Sequence, residues 1–546
     1  MSILILLLRL FFTNFGFYMT SQFRFLLEIP LKISLLIPIK YLIIIDWMSI
    51  LFIGVVLFIS SIVIIYRNYY IKEDPTQRKF ITLLSLFITS ICLIIISPNV
   101  ISLILGWDGL GLISYCLVIY YNNIRSNISG LITILRNRIG DSALIISILT
   151  LFRVGNLDWY FIDPKNDYNL FFYFLFLAGI TKSAQIPFSA WLPSAIAAPT
   201  PVSALVHSST LVTAGVYIFI RFSPEIRFSI SFLLIFLAII TSFISGLNAI
   251  YEIDFKKIIA LSTLSQLGVI ISILFFGSPL IAFFHLRTHA LFKRLLFLSA
   301  GVVLHCYQGN QDLRHIGGYT QSSPIVSISI ITARISLRGF PFLRGFYSKD
   351  IILDIFILNN LNIILLGIFR ACTLFTPIYR IKLLNFSLNG PFNNKIIFHE
   401  NYQVSLSVRL LLVASLLGGS IILWLIVPLE FIVLSLNEKL FIFSSLPIAF
   451  ILINFSAPIV KKIFLKNFFR SILIISHTSL YTSPLTFIIV SKKITLRIDQ
   501  AWSETLGPQK IYSYLNWVKR LIEKWHYLNL PQIIIISLFM LVITLA

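Results

Sequence analysis

Residues 170–187 read LFFYFLFLAGITKSAQIP, and residues 188–210 continue FSAWLPSAIAAPTPVSALVHSST. An apolar run stops at Lys182, and Pro187 then breaks the helix. Beyond Pro199 and Pro201 a second apolar run opens and carries His207 with three hydroxyls. A proline ends the helical ladder and frees carbonyls upstream, and those can hold water beside the lysine. Such backbone at membrane depth is tolerated only where it is buried in protein or lines a wet cavity. The stretch therefore reads as a membrane helix broken beside a charge.

Outward from it, the chain repeats the pattern. Apolar runs near 3–19, 47–66, 79–97, 99–121, 131–152 and 170–182 precede the break. Others follow near 203–221, 229–248, 257–276, 279–305, 323–340, 350–375, 408–428, 440–458, 470–490 and 531–545. The composition agrees, with 58% hydrophobic and 12% charged residues in 546. That much apolar sequence would fill at most about 16 spans of about 20 residues. The fold class is an all-α polytopic membrane protein of about 15–16 transmembrane helices. Residues 491–530 differ: they are polar and basic, with Trp502, Tyr512, Leu515, Trp517, Leu521 and Trp525 at roughly helical spacing. This predicts a lateral amphipathic helix on the membrane surface or along partner subunits, followed by a final membrane anchor at 531–546.

The net charge of +22 fits basic loops beside anionic lipid and basic groups inside spans, and no basic run reads as a nucleic-acid patch. The four cysteines lie singly in apolar stretches, without disulfide or metal-ligand spacing.

The chemistry concentrates in residues 106–350, where ionisable residues sit inside apolar runs. Asp108 lies in GWDGLG (106–111), and Arg138 and Asp141 lie three apart on one helix face. His285, His289 and Lys293 recur every four residues, so one face carries two imidazoles and an ammonium. Lys349 and Asp350 open a span after Pro341. A charge at mid-span costs about 2.5–3.5 kcal/mol on the insertion scale, and keeping several points to an ion or proton path. Blander readings exist: Asp108 as a helix-end group, Lys349 and Asp350 as headgroup-facing, His285 and His289 as zinc ligands. The last lacks a third ligand, and Lys293 beside it opposes a cation. Lys293 lies too deep in its run to snorkel.

At these residues the sequence resembles a known family. GWDGLGLISY (106–115), NRIGD (137–141), the block from Thr181 to Tyr217, DFKKIIALSTLSQLG (254–268), FHLRTHALFK (284–293), GFYSKD (345–350) and DQAWSETLG (499–507) look like the chain 5 family of mitochondrially encoded NADH–ubiquinone oxidoreductases. These are the distal antiporter-like subunits of respiratory complex I, and the resemblance runs nearly end to end. It implies N-terminal helices at 1–98, an antiporter-like core at 99–385 and further helices at 386–490 before the tail. The core would hold two inverted five-helix repeats, each with a broken helix. The chain would carry no cofactor or metal, since FMN, iron–sulfur clusters, NADH and ubiquinone belong to other subunits. Its partners would be the neighbouring antiporter-like subunit, other membrane subunits and lipid, in the mitochondrial inner membrane.

Residue by residue, the resemblance makes Asp108 the carboxylate, usually a glutamate, that pairs with Lys182. His207, His285, His289 and Lys293 become a central relay and Lys349 the lysine near the exit. Arg138 and Asp141 support the first site, and Lys256 and Lys257 mark an interfacial helix start. The alternative is the large subunit of a multisubunit Na⁺/H⁺ antiporter, which shares this core; the lateral helix with one last span argues against it. A third reading is a structural subunit that moves no protons.

Six arginines depart from the family pattern: Arg136, Arg287, Arg294, Arg338, Arg344 and Arg370. At mid-span they would cost on the order of 15–20 kcal/mol together. Either they are genuine adaptations or, the reading we favour, they are serine codons translated with the wrong genetic code, since many invertebrate mitochondria read AGA and AGG as serine. The same error turns methionine into isoleucine, and this Ile-rich chain has only 4 Met.

Overall fold

The structure, a computed structural model, describes residues 25–33, 38–72, 74–154, 169–223, 228–318, 323–339, 343–358, 363–389, 401–426, 491–495, 505–526 and 530–545. The expected spans at 3–19, 440–458 and 470–490 lie outside the described residues. The chain divides into two compact units, residues 1–475 and 476–546.

The described part of the first unit begins with two strands. β1 (Phe25–Ile33) and β2 (Pro38–Ile45) pair antiparallel, and Lys40 meets Glu28 at 2.7 Å. Pro30 and Pro38 block a helix here, and Ile39, Ile43, Ile44 and Ile45 favour extended chain.

Helices follow from there. α1 (Trp47–Tyr70) is started by a capping box in which Asp46 and Ser49 serve each other's backbone at 3.0 Å. α2 (Gln77–Ile96), α3 (Val100–Val118) and α4 (Ile124–Val154) come next; Asn99 caps α3 by accepting from the Ile101 N–H. α5 (Asn169–Lys182) ends where the sequence predicts, and a short helix at Trp191–Ser194 lies in the break. α6 (Thr200–Phe222), α7 (Phe228–Tyr251), α8 (Phe255–Phe275) and α9 (Pro279–Cys306) form the centre. α10 (Pro324–Arg338) stops at Gly339, whose φ of 80° is left-handed and suits glycine. α11 (Arg344–Leu358), α12 (Ile363–Asn389) and α13 (Tyr402–Ile426) complete the unit.

One boundary differs from expectation. The run 350–375 predicts one helix, but α11 ends at Leu358 and α12 starts at Ile363.

Among the described residues eight helices are long and apolar enough to cross a membrane. The chain is an all-α polytopic membrane protein, with the one strand pair added. Burial is graded: the apolar windows of α6 and α8 are wholly enclosed, whereas those of α2 and α3 are less than half buried. Leu105, Leu112, Leu131, Leu135 and Leu149 point outward from α3 and α4. The enclosed helices carry His207 and Lys293 in the protein interior, and α3 and α4 also present aliphatic side chains to the surroundings.

The second unit holds α14 (Lys510–His526), entered through a π turn at Thr505–Gln509, and α15 (Leu530–Leu545). Tyr512, Tyr514, Leu515, Trp517 and Leu521 are exposed along α14, and Lys519 meets Glu523 at 3.8 Å.

Candidate functional site

The last residue of α5 is Lys182, which is buried. Its Nζ donates to the Trp107 carbonyl at 3.2 Å and lies 4.5 Å from the Trp107 ring centroid. The ring thus adds a cation–π contact to the hydrogen bond. The indole Nε1 of Trp107 donates to Asp141 Oδ1 at 2.9 Å, and Arg138 Nη1 reaches Asp141 Oδ2 at 3.4 Å. A chain of contacts therefore runs Lys182–Trp107–Asp141–Arg138 across α5, α3 and α4. Asp108, expected as the direct partner, makes no ion pair among the described residues. Trp107 occupies the side of α3 facing Lys182, and the next side chain is turned about 100° away. Of the two carboxylates acting electrostatically on Lys182, Asp141 acts more strongly than Asp108.

Side chains hold the break after Lys182. Trp191 Nε1 donates to the Thr181 carbonyl at 3.1 Å, and the Gln185 N–H donates to Ile180 at 3.2 Å. Gln185 Nε2 donates to the Ser183 carbonyl, while its Oε1 accepts from Thr241 Oγ1 at 2.5 Å. Across from the break, Gly215 of α6 leaves no room for a side chain, since an added Cβ would lie 2.9 Å from the Gly179 carbonyl and 3.3 Å from Lys182 Cβ.

Within α6, residues Ser203–Thr210 form a π segment. Carbonyls of this segment also accept from side chains: Ala204 accepts from Ser208 Oγ at 2.5 Å and from Arg294 Nη2 at 2.7 Å, and Leu205 accepts from Thr210 Oγ1 at 2.5 Å. His207 sits inside this segment, buried, its ring 6.0 Å from that of Trp191 and both nitrogens without a partner.

On α9 the structure brings the predicted relay together. Lys293, fully buried, donates to Ser262 Oγ of α8 at 2.5 Å. The rings of His285 and His289 stand 6.3 Å apart, and His289 has no partner on either nitrogen. His285 Nδ1 contacts Ser348 Oγ of α11 at 2.8 Å, and its Nε2 is unpartnered. Beside Ser348, Lys349 donates to Thr376 of α12 at 2.9 Å.

Sequence reading passed over Arg380. It is buried on α12, its Nη2 donates to Tyr379 at 3.3 Å, and its charge acts on His285, His289 and Lys293. A lone arginine three residues after Pro377 in an apolar run was the available signal. Sequence reading also missed a buried ion pair: Arg221 at the end of α6 grips Asp46 through Nη1 at 2.5 Å and Nη2 at 2.7 Å, and its Nε donates to Tyr217 at 2.8 Å. Lys256, expected at the interface, is buried at the start of α8, while Lys257 is exposed to Asp254 at 2.7 Å; one helical step separates the two faces. Among the described residues no cluster could hold a metal.

Of the six unexpected arginines, Arg136, Arg287 and Arg294 are buried without an acidic partner, and each leaves guanidinium nitrogens unpaired. The side chains at 338 and 344 lie outside the described part of the structure.

Comparison with known proteins follows the same line. The family described as NADH:quinone oxidoreductase/Mrp antiporter, TM, matches residues 97–376. NADH dehydrogenase subunit 5 C-terminus matches 379–546, and NADH-Ubiquinone oxidoreductase (complex I), chain 5 N-terminus, matches 34–81. NADH-ubiquinone oxidoreductase chain 5 of Locusta migratoria is 41% identical over 91% of this chain and 90% of its own. The Aedes aegypti protein of that name is 41% identical over 92% and 89%. Among solved structures, the Mrp complex from Dietzia superposes with a TM-score of 0.78 at 23% identity, over 94% of this chain and 59% of that one. That likeness shows a shared fold, whereas the match of 379–546 to the subunit 5 C-terminus separates this chain from the antiporter alternative. The chain belongs to the NADH-ubiquinone oxidoreductase chain 5 family.

Proposed function

We propose that this chain carries protons across the mitochondrial inner membrane as a membrane subunit of respiratory complex I, driven by electron transfer from NADH to ubiquinone on other subunits. The observation that supports it most is Lys293, a lysine wholly inside the protein that, among the described residues, donates to a neutral serine. A membrane protein retains such a group where charge must come and go.

The residues divide the work by position. Asp141 and Asp108 hold Lys182 protonated while they are ionised. When their charge is neutralised or displaced, Lys182 gives up its proton towards His207 and the α9 relay, where Lys293 and the imidazoles pass it on through intervening water. Lys349 collects it near the exit, and Arg380 is a fixed positive charge that keeps a second proton from lingering in the relay. The breaks after Lys182 and before Lys349 fit two inverted repeats. The exposed aromatic face of α14 fits contact with a neighbouring membrane subunit or the lipid surface. The Na⁺/H⁺ antiporter is the second reading, supported by the Mrp likeness alone.

The test is to isolate the chain in mild detergent from native membranes and assay the particle. A very large particle with rotenone-sensitive NADH–quinone reduction upholds the proposal. A small particle lacking NADH oxidation, with sodium-dependent proton flux, overturns it.

A further inference from the structure

We propose that Ser348 and Thr288 form a hydroxyl pair that positions His285 for proton exchange and gives the imidazole a partner in each of its proton states. The inference rests on the relay reading above and names residues that reading does not use.

His285 is the one relay imidazole whose ring is tethered. Its Nδ1 lies 2.8 Å from Ser348 Oγ, while among the described residues His207 and His289 have no partner on either nitrogen. Thr288, three residues along α9, has two acceptors in reach: Ser348 Oγ at 3.3 Å and the His285 carbonyl at 2.9 Å. Both hydroxyls are fully buried, so no bulk water competes for these contacts. The charged groups acting on His285 are Lys349 of α11 and Arg380 of α12, with the His289 ring 6.3 Å away on α9.

A hydroxyl carries one proton and two acceptor sites, so it can face a ring nitrogen either way. When Nδ1 bears a proton, in the imidazolium or in one neutral tautomer, Ser348 accepts it and Thr288 donates to the His285 carbonyl. When Nδ1 is bare, Ser348 donates to it and Thr288 turns to donate to Ser348. Two hydroxyl rotations serve all three ring states, and no heavy atom moves. Nε2, buried and unpartnered, is left as the nitrogen that meets the relay. The arrangement also ties α9 to α11 one residue before Lys349, so the relay and the exit lysine share one fixed point.

The test uses complex I particles carrying variants of this chain in sealed liposomes, reading protons moved per NADH oxidised. Ser348→Ala and Thr288→Val should lower that ratio by about three- to tenfold, what one ordinary hydrogen bond changes in a population. Ser348→Thr and Thr288→Ser, which keep the hydroxyls, should restore it. Lys293→Met serves as the control for the relay itself. If Lys293→Met abolishes pumping while Ser348→Ala and Thr288→Val pump normally, the hydroxyl pair is overturned and the relay stands. If Lys293→Met pumps normally, the relay reading falls and takes this inference with it. Should Ser348→Ala fail to assemble, the near-isosteric Thr288→Val against Thr288→Ser decides the matter. A deficit that Thr288→Ser does not relieve counts against the proposal.

Discussion

Lys182 and Lys293 are held by different contacts. Lys182 rests on an aromatic face and a carbonyl with two acids nearby; Lys293 has one serine. Because Asp141 is joined to Lys182 through Trp107 and acts on it more strongly, Asp141→Asn should slow proton transfer by about tenfold, the worth of roughly 1.4 kcal/mol. Asp108→Asn should cost less. Proton flux per NADH in vesicles carrying each variant measures the difference, and the reverse order would restore Asp108 as the principal partner. The arginines make a second prediction at this scale. With serine at 287 and 294, trypsin cuts after Lys293 but at neither of those positions, and peptide masses across 284–300 read serine. Recovery of peptides ending at 287 or 294 would retain arginine there. The lysines and histidines were legible because a charge in an apolar run is visible without a fold. Their partners, Ser262, Ser348, Thr376 and Arg380, were not, because hydroxyls abound in this chain and only packing selects one.

Among elements, α6 is held along its whole length. Its π segment bears His207, Gly215 lets it press against α5, and Arg221 binds Asp46 at the head of α1. Removing one partner from a buried ion pair leaves a bare charge and costs about 3–5 kcal/mol. Asp46→Ala should therefore lower the melting temperature of the purified complex. Asp46→Ala, Arg221→Leu together should recover part of the loss, since no lone charge remains. The break after Lys182 was readable from Pro187. The strand pair at 25–45 was missed because an apolar run carries no period that separates strand from buried helix. The Asp46–Arg221 pair spans 175 positions in sequence and had no local signature.

For the whole molecule, charge is sorted by depth, and outside the spans it acts by ordinary rules. The loop after α9 folds back on the start of α8: Phe255 N–H donates to Gln311 at 2.9 Å and Leu313 N–H to Ile253 at 3.2 Å. Asp312 turns this loop, and hydrogen bonds from Arg314 hold its carboxyl below the usual carboxylate range. A carboxyl so lowered contributes stability above its unfolded value, near 3.9, and loses it as the pH falls through the folded value. The pair is solvated, so the contribution is small. Protection factors of the amides at 311–315, measured rates divided into the base-catalysed intrinsic rates, should hold steady between about pH 6 and 8 and fall only below about pH 4. A fall in protection near neutrality would assign the loop's hold to another group. Helix content and the buried charges were open to reading from composition and spacing, whereas the graded burial that encloses α6, α8 and α9 emerges only from how the helices assemble.

The π segment of α6 has a consequence for what the gene can lose. A π turn holds one residue more than the α turn it replaces. A single deletion in α8 would swing every later side chain by about 100° and ruin the packing. The same deletion inside Ser203–Thr210 is absorbed as the segment relaxes to α geometry, and Tyr217 and Arg221 keep their bearings. What changes is the wide-turn geometry in which the Ala204 carbonyl meets Arg294 and Ser208 and the Leu205 carbonyl meets Thr210. The extra residue is thus dispensable for folding, and its retention has to be explained by the work done at that turn.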